Sequence, residues 1–134
     1  MFGTFQQTTL RVEIEATTAV IRDSLLQPRQ FKQWLWPQTF SEGLPDILEV
    51  GTTFISYLGP IKIHHEVTAL SPQSMRIVVW EGVDGFHEWC WGDGWVQSRL
   101  EGISGLPLNL AQSLNLWRLQ RFLQQQREPE TASG

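Results

Sequence analysis

The chain has 134 residues, of which 41% are hydrophobic and 18% charged, a balance typical of one globular domain with a real core. The net charge of −4 argues against nucleic acid and against an anionic membrane surface as partners, because both attract a basic face. There is no apolar run of the roughly 20 residues that a membrane span needs and no secretory signal pattern, and the single cysteine excludes an internal disulfide, so we expect a cytoplasmic protein.

The first elements predicted along the chain are a strand and two short helices. Residues 9–15 alternate strictly between apolar and polar side chains, which predicts a half-buried strand. The period then changes, and Thr17 or Thr18 can cap a helix. Pro28 ends that helix and suits the first turn of a second one, which ends before Pro37.

A turn-rich segment over residues 38–48 separates these helices from five further strands. Short breaks with glycine, proline and aspartate divide the strands, which predicts an antiparallel meander. The last element is a helix over about residues 107–126, with apolar residues on more than one stripe, so we expect contacts on several of its sides. A single domain over residues 1–126 and a flexible tail over 127–134 are predicted. The five strands are predicted at residues 52–58, 61–70, 74–81, 86–91 and 95–103.

Several short motifs follow this order of elements. A helix of the form A-x-x-x-V-I-x-x-x-L comes after the first strand, then a proline, an aromatic residue and a tryptophan. A glycine opens the second strand, and a valine precedes a proline turn between the third and fourth strands. The residues are Ala16, Val20, Ile21 and Leu25, then Pro28, Phe31 and Trp34, then Gly51, then Val67 with Ser71 and Pro72. In order and spacing these motifs resemble the START and birch-pollen-allergen superfamily, often called SRPBCC, over residues 8–126.

The resemblance implies an α+β helix-grip fold. In that fold a curved antiparallel sheet of six to seven strands wraps around a long C-terminal helix, with two short helices after the first strand and a cavity between sheet and helix. Members of the superfamily bind lipids, sterols, quinones, plant hormones or polyketides. Some catalyse cyclisation or dehydration, and others are protein-interaction modules. The fold alone does not choose among these functions.

Alternation along the strands predicts which side chains face the cavity. Successive residues of a strand point to opposite faces, so alternate positions of the meander share the concave side. The last helix would close the cavity, and the short helices would add one tryptophan. The side chains predicted to contact a ligand are Trp34 from the short helices, Phe54, His65, Val67, Met75, Ile77, Trp89 and Trp91 from the sheet, and Leu110, Leu114 and Trp117 from the last helix.

The histidines are the candidates for chemistry. His64 and His65 are neighbours in a predicted strand and point to opposite faces, so they cannot chelate one metal ion. His65 shares an apolar face with Ile63, Val67 and Ala69, where it is either a satisfied core group or a polar group that orients a ligand. No catalytic residue, metal or cofactor is predicted.

The sequence therefore predicts a domain that binds a hydrophobic small molecule or lipid, and more a binding protein than an enzyme. Seven tryptophans, several-fold above expectation, would either fill the core or line the cavity. One alternative is a polyketide cyclase or dehydratase, which needs at least two polar groups converging in the cavity. The other is an interaction module with a filled core, which would expose Trp36, Trp80 and Trp95. The oligomeric state is left open.

Overall fold

The computed structural model describes residues 3–132, and the side chains of residues 3–126. One antiparallel sheet has the strand order β1-β7-β6-β5-β4-β3-β2, and a long helix packs on it. This confirms the predicted α+β helix-grip architecture. The elements are β1 Thr4–Glu13, α1 Thr18–Leu26, α2 Pro28–Trp34, β2 Thr39–Phe40, β3 Thr53–Leu58, β4 Ile61–Ser71, β5 Ser74–Glu81, β6 Asp84–Gly92, β7 Trp95–Ser104 and α3 Leu108–Ala132.

Strand β1 begins earlier than its alternation predicted. It pairs with β7 along its whole length, from Thr4 opposite Ser104 to Glu13 opposite Trp95. Residues 4–8 carry no apolar alternation, so the pairing with β7, and not local pattern, makes them a strand. Tertiary context here adds half a strand that the local sequence does not indicate.

Strand β2 lies inside the segment predicted to be rich in turns, where no strand was predicted. It has two residues, and Thr39 pairs with Tyr57 of β3. The Phe40 ring lies 5.2 Å from the ring of Phe31 and 6.1 Å from that of Phe54, measured between centroids. A cluster of three aromatic rings therefore anchors this short edge strand, which is too brief to give a periodic signal.

A β-bulge in β4 reverses the facing of the residues that follow it. The register with β5 shifts between Val67 and Ala69. The expectation that Ala69 shares the inner face with His65 is therefore wrong, and Ala69 is exposed. One extra residue in a strand moves every later side chain to the opposite face.

Helices α1 and α2 form a unit that covers one end of the sheet. Thr17 caps α1, with its hydroxyl oxygen accepting from the Val20 amide at 3.3 Å. The Ser24 carbonyl would bond the amide of residue 28 in a continuous helix, but Pro28 has no N–H. Trp34 supplies the missing donor, because its indole Nε1 donates to that carbonyl at 3.0 Å. The buried tryptophan thus satisfies the acceptor that the proline leaves open.

Helix α3 is buried on one side and exposed on another. Leu116, Leu119 and Leu123 are buried, whereas Leu110 and Trp117 are exposed, so the expectation of contacts on several sides is wrong. The helix also continues beyond its predicted end, to Ala132. The looseness of the predicted tail stays a prediction, and residues 133–134 lie outside the described residues. Within the described part of the chain, no helix is long and apolar enough to span a membrane.

Candidate cavity between the sheet and the helices

A cavity of about 370 Å³ lies between the concave face of the sheet, the α1–α2 unit and the first turns of α3. This volume falls in the range of about 300–1,000 Å³ typical of small-molecule sites. The lining residues are mostly aliphatic and aromatic, and no aspartate, glutamate, lysine or arginine is among those described. Its floor is formed by Met75, Ile77 and Val79 of β5, and its sides by Leu25 and Trp34 among others.

Side chains that line the cavity and are also exposed to solvent mark its mouth. Trp36, which follows α2, is 69% exposed, and on α3 Leu110 is 64% and Leu114 43% exposed. The guanidinium carbon of Arg118 lies 5.1 Å from the centre of the Trp36 ring, a cation–π distance. This contact joins α3 to the segment after α2 beside the opening.

The structure brings eight of the eleven predicted side chains to the cavity wall. Five of them come from the sheet, two from the exposed side of the first turns of α3 and one from α2. Contact with a ligand stays a prediction for all of them. The eight are Trp34, Phe54, His65, Met75, Ile77, Trp89, Leu110 and Leu114.

Three predicted side chains do not line the cavity. Val67 and Trp91 are fully buried in the core away from the cavity wall. Trp117 is 52% exposed, and the guanidinium of Arg121 lies 5.2 Å over its ring. It shares a helical stripe with Leu110, but seven residues of helix rise about 10 Å, which carries it past the mouth.

His65 is the polar group that the sequence indicated for the cavity. Its ring stacks on Phe54 with centroids 4.5 Å apart and planes 6° from parallel. Its Nε2 lies 2.8 Å from the Ser56 hydroxyl, which in turn accepts from the Gln38 amide at 2.7 Å. We refer to Gln38, Ser56 and His65 as the His65 triad.

His87 is a second cavity-lining histidine, and sequence reasoning missed it. Its Nε2 lies 2.7 Å from the Ser98 hydroxyl, and Ser98 accepts from the Gln112 amide at 3.0 Å. Gln112 is buried and held in place, since its carbonyl oxygen accepts from Thr8 Oγ1 at 2.9 Å. His87 and Trp89 are two residues apart in one strand and therefore share a face, and this spacing could have placed His87 in the cavity. We refer to Gln112, Ser98 and His87 as the His87 triad.

Both cavity histidines are uncharged at neutral pH. Burial, reinforced by the charge of His64, lowers the pKa of His65 from 6.5 to about 4. Burial and the charge of His65 lower the pKa of His87 to about 3. The cavity therefore offers an apolar, uncharged interior with two polar rings.

His64 faces away from this site, as predicted for the neighbour of His65. Its ring stacks on Trp80 with centroids 5.1 Å apart, and its Nε2 lies 2.9 Å from a Glu81 carboxylate oxygen. Among the described residues, no three His, Cys, Asp or Glu side chains form a group that could hold a metal ion.

The sequence matches no family model and no curated protein. The fold, in contrast, matches solved structures. A protein from Rhizobium loti aligns with a TM-score of 0.72 at 12% identity, over 93% of this chain and 99% of that one. One from Chromobacterium violaceum gives 0.70 at 16%, over 87% and 96%. The Aha1 dimer from Colwellia psychrerythraea gives 0.62 at 18%, over 88% and 96%.

The chain shares the helix-grip fold of these solved structures. The matches cover nearly the whole of this chain and of the three relatives, so they include the sheet, the short helices and α3 together. This confirms the resemblance that the sequence motifs indicated. At identities below one fifth the likeness concerns the fold alone, and function is argued from the cavity.

Proposed function

We propose that this protein binds a hydrophobic small molecule or lipid in the cavity between the sheet and α3. The observation that supports this most is the cavity itself: about 370 Å³ of space with apolar walls and an opening beside Trp36. A concave pocket of this size with apolar walls can bury most of the surface of a small apolar molecule. Burial of apolar surface would supply most of the affinity.

The test uses a variant that fills the cavity and a matched control on the same helix. Ala111 lines the cavity, and Ser113 is exposed and does not. Titration with the neutral fluorophore N-phenylnaphthylamine should show saturable binding to the native protein and to Ser113→Trp. Ala111→Trp should bind at least tenfold more weakly, because the indole occupies the volume. Equal binding by both tryptophan variants would refute the assignment of the cavity as the site.

Native mass spectrometry of the purified protein identifies the natural occupant. We expect an apolar molecule at one per chain, released by solvent extraction. A protein that carries nothing, takes up nothing from a cell lipid extract and fails to bind the fluorophore would contradict the proposal.

A second candidate function is enzymatic, and one observation favours it. A cyclase or dehydratase needs at least two polar groups in the cavity, and His65 and His87 both line it. Their pKa values of about 4 and about 3 oppose this reading, because an imidazole that weakly basic is a poor general base near pH 7. Deuterium exchange at the α-carbon of a bound ketone, followed by NMR, would reveal proton abstraction. We expect no histidine-dependent exchange.

The interaction-module alternative has less support. It required a filled core, and the structure contains a cavity. Trp36 and Trp80 are exposed as that alternative expected, but Trp95 is half-buried, with the Arg11 guanidinium 4.1 Å over its ring. The three tryptophans lie on separate elements: the segment after α2, β5 and β7.

A further inference from the structure

The two triads have the same construction, with the serine and the histidine on β3 and β4 in one and on β7 and β6 in the other. In each, a glutamine amide donates to a serine hydroxyl that lies against a histidine Nε2. We propose that the ligand is an uncharged molecule with two hydrogen-bond-accepting oxygens, one for the Nδ1–H of His65 and one for that of His87. This inference rests on the proposed function and specifies the chemical class of its ligand.

Counting the hydrogens in each triad fixes which histidine nitrogen carries the proton. Ser56 and Ser98 are fully buried, and each hydroxyl already accepts a bond from a glutamine. A buried hydroxyl hydrogen needs an acceptor. Among the described residues, the Nε2 of His65 or of His87 is the acceptor within reach. Each serine therefore donates to Nε2, and because both rings are neutral, each carries its proton on Nδ1.

Both Nδ1–H groups are available to a ligand. No described residue accepts a hydrogen bond from either. The buried side-chain nitrogens without a partner, among the described residues, are Trp91 Nε1 and Arg118 Nε. The two Nδ1 atoms are therefore not sealed in the core, and both rings form part of the cavity wall. The cavity wall therefore carries two N–H donors that no described residue engages.

The register of the sheet sets the separation of these donors. His65 is opposite Val79 of β5, and His87 is opposite Ile77 of the same strand. The two histidines are thus two strand spacings apart across the sheet and two residues apart along it, roughly 12 Å between backbones. The stacking of His65 on Phe54 and the contact of His87 with Trp89, at 4.5 Å each, restrain both rings. A compact ring system with an oxygen at each end suits this spacing.

The charge of the cavity selects a neutral ligand. No charged side chain is among its described lining residues, so a buried carboxylate or ammonium would lose its hydration without an ionic partner. A pure hydrocarbon would displace water from the two N–H groups and leave them unsatisfied. A neutral molecule with two acceptors avoids both costs.

The experiment uses one ring system with four sets of end groups. All four probes are naphthalenes with one substituent at each end. The diketone carries two acetyl groups, the hydrocarbon two isopropyl groups, the mixed probe one acetyl and one isopropyl group, and the dicarboxylate two carboxylate groups. The quantity compared is the ratio of the hydrocarbon and diketone dissociation constants, which cancels any general change in the cavity. We expect His65→Phe and His87→Phe each to lower this ratio about fivefold to tenfold, the value of one hydrogen bond. His64→Phe, on the outer face, should leave the ratio unchanged.

Each result has a separate meaning. If the neutral probes bind and neither cavity variant changes the ratio, this inference is overturned and the binding function stands. If the dicarboxylate binds as tightly as the diketone, the requirement for a neutral ligand fails. If no neutral probe binds the native protein, the proposed function itself fails. Nitrogen NMR of labelled histidine in the native protein tests the inference without any variant, since a proton on Nε2 of either ring would overturn it.

Discussion

The stability of this protein should fall steeply between pH 7 and pH 5 because of two buried histidines. The folded-state pKa is about 4 for His65 and about 3 for His87, below the value of 6.5 expected in the unfolded chain. Between these values the unfolded state binds more protons than the folded state. The free energy of unfolding therefore rises with pH in this range. The contribution of the two histidines to it is fully present above about pH 6.5 and is lost as the pH falls toward 4.

The magnitude follows from the same pKa values. At pH 5 an unfolded histidine is almost fully protonated, whereas His65 and His87 remain almost fully neutral in the fold. Each histidine therefore lowers the free energy of unfolding at pH 5 by about 2 kcal/mol relative to pH 7, and the two together lower it by about 4 kcal/mol. Since domains of this size are stable by about 5–15 kcal/mol, this is a large fraction.

Urea unfolding followed by tryptophan fluorescence at pH 7 and pH 5 measures this loss. Glutamine does not titrate, and its amide can still bond the serine. In His65→Gln and in His87→Gln the loss of stability between pH 7 and pH 5 should therefore be only about half of the native loss. Ser113→Gln, on the exposed side of α3, is the control that removes no histidine, and it should lose as much stability as the native protein. If His65→Gln and His87→Gln both show the full native loss, the reasoning from burial is refuted.

Three further substitutions test the packing by urea unfolding. Gly85→Ala should cost at least 3 kcal/mol, because its Cβ would lie 1.9 Å from the Glu101 carbonyl oxygen on β7; a cost below 1 kcal/mol would contradict the strand spacing. Trp34→Phe removes the donor to the Ser24 carbonyl and should cost about 1–3 kcal/mol, and an unchanged stability would show that another donor replaces it. Trp36→Ala should change stability by less than about 0.5 kcal/mol, since the ring is exposed, and a larger loss would make Trp36 a structural residue.

The fold could be predicted from the sequence because its signals are local. Alternation in β1 and β4 and the proline between α1 and α2 indicate elements without reference to distant residues. The side chains on regular strands, such as Phe54 and Met75, followed from parity alone and do line the cavity. Parity failed at Ala69, where a bulge that no glycine marks shifts the register.

The polar half of the site could not be predicted in this way. Ser56 and His65 are nine residues apart, and Ser98 and His87 eleven, so each pair meets only because of the cross-strand register. Gln112 comes from α3 and reaches Ser98 through tertiary packing. Periodicity shows which face a residue occupies, but not which polar atoms on that face come within bonding distance.

The pairing of β1 with β7 has a consequence for how the chain folds. Thr4 lies opposite Ser104, so the first strand acquires its partner only after about 100 further residues exist. At the usual synthesis rate of about 5–20 residues per second, β1 waits roughly 5–20 seconds on the ribosome with its backbone groups unpaired. Contacts so distant in sequence also slow the search for the native state in a full-length chain. The same pairing that completes the sheet thus makes β1 the strand most exposed to misassociation during synthesis, well before the cavity can form.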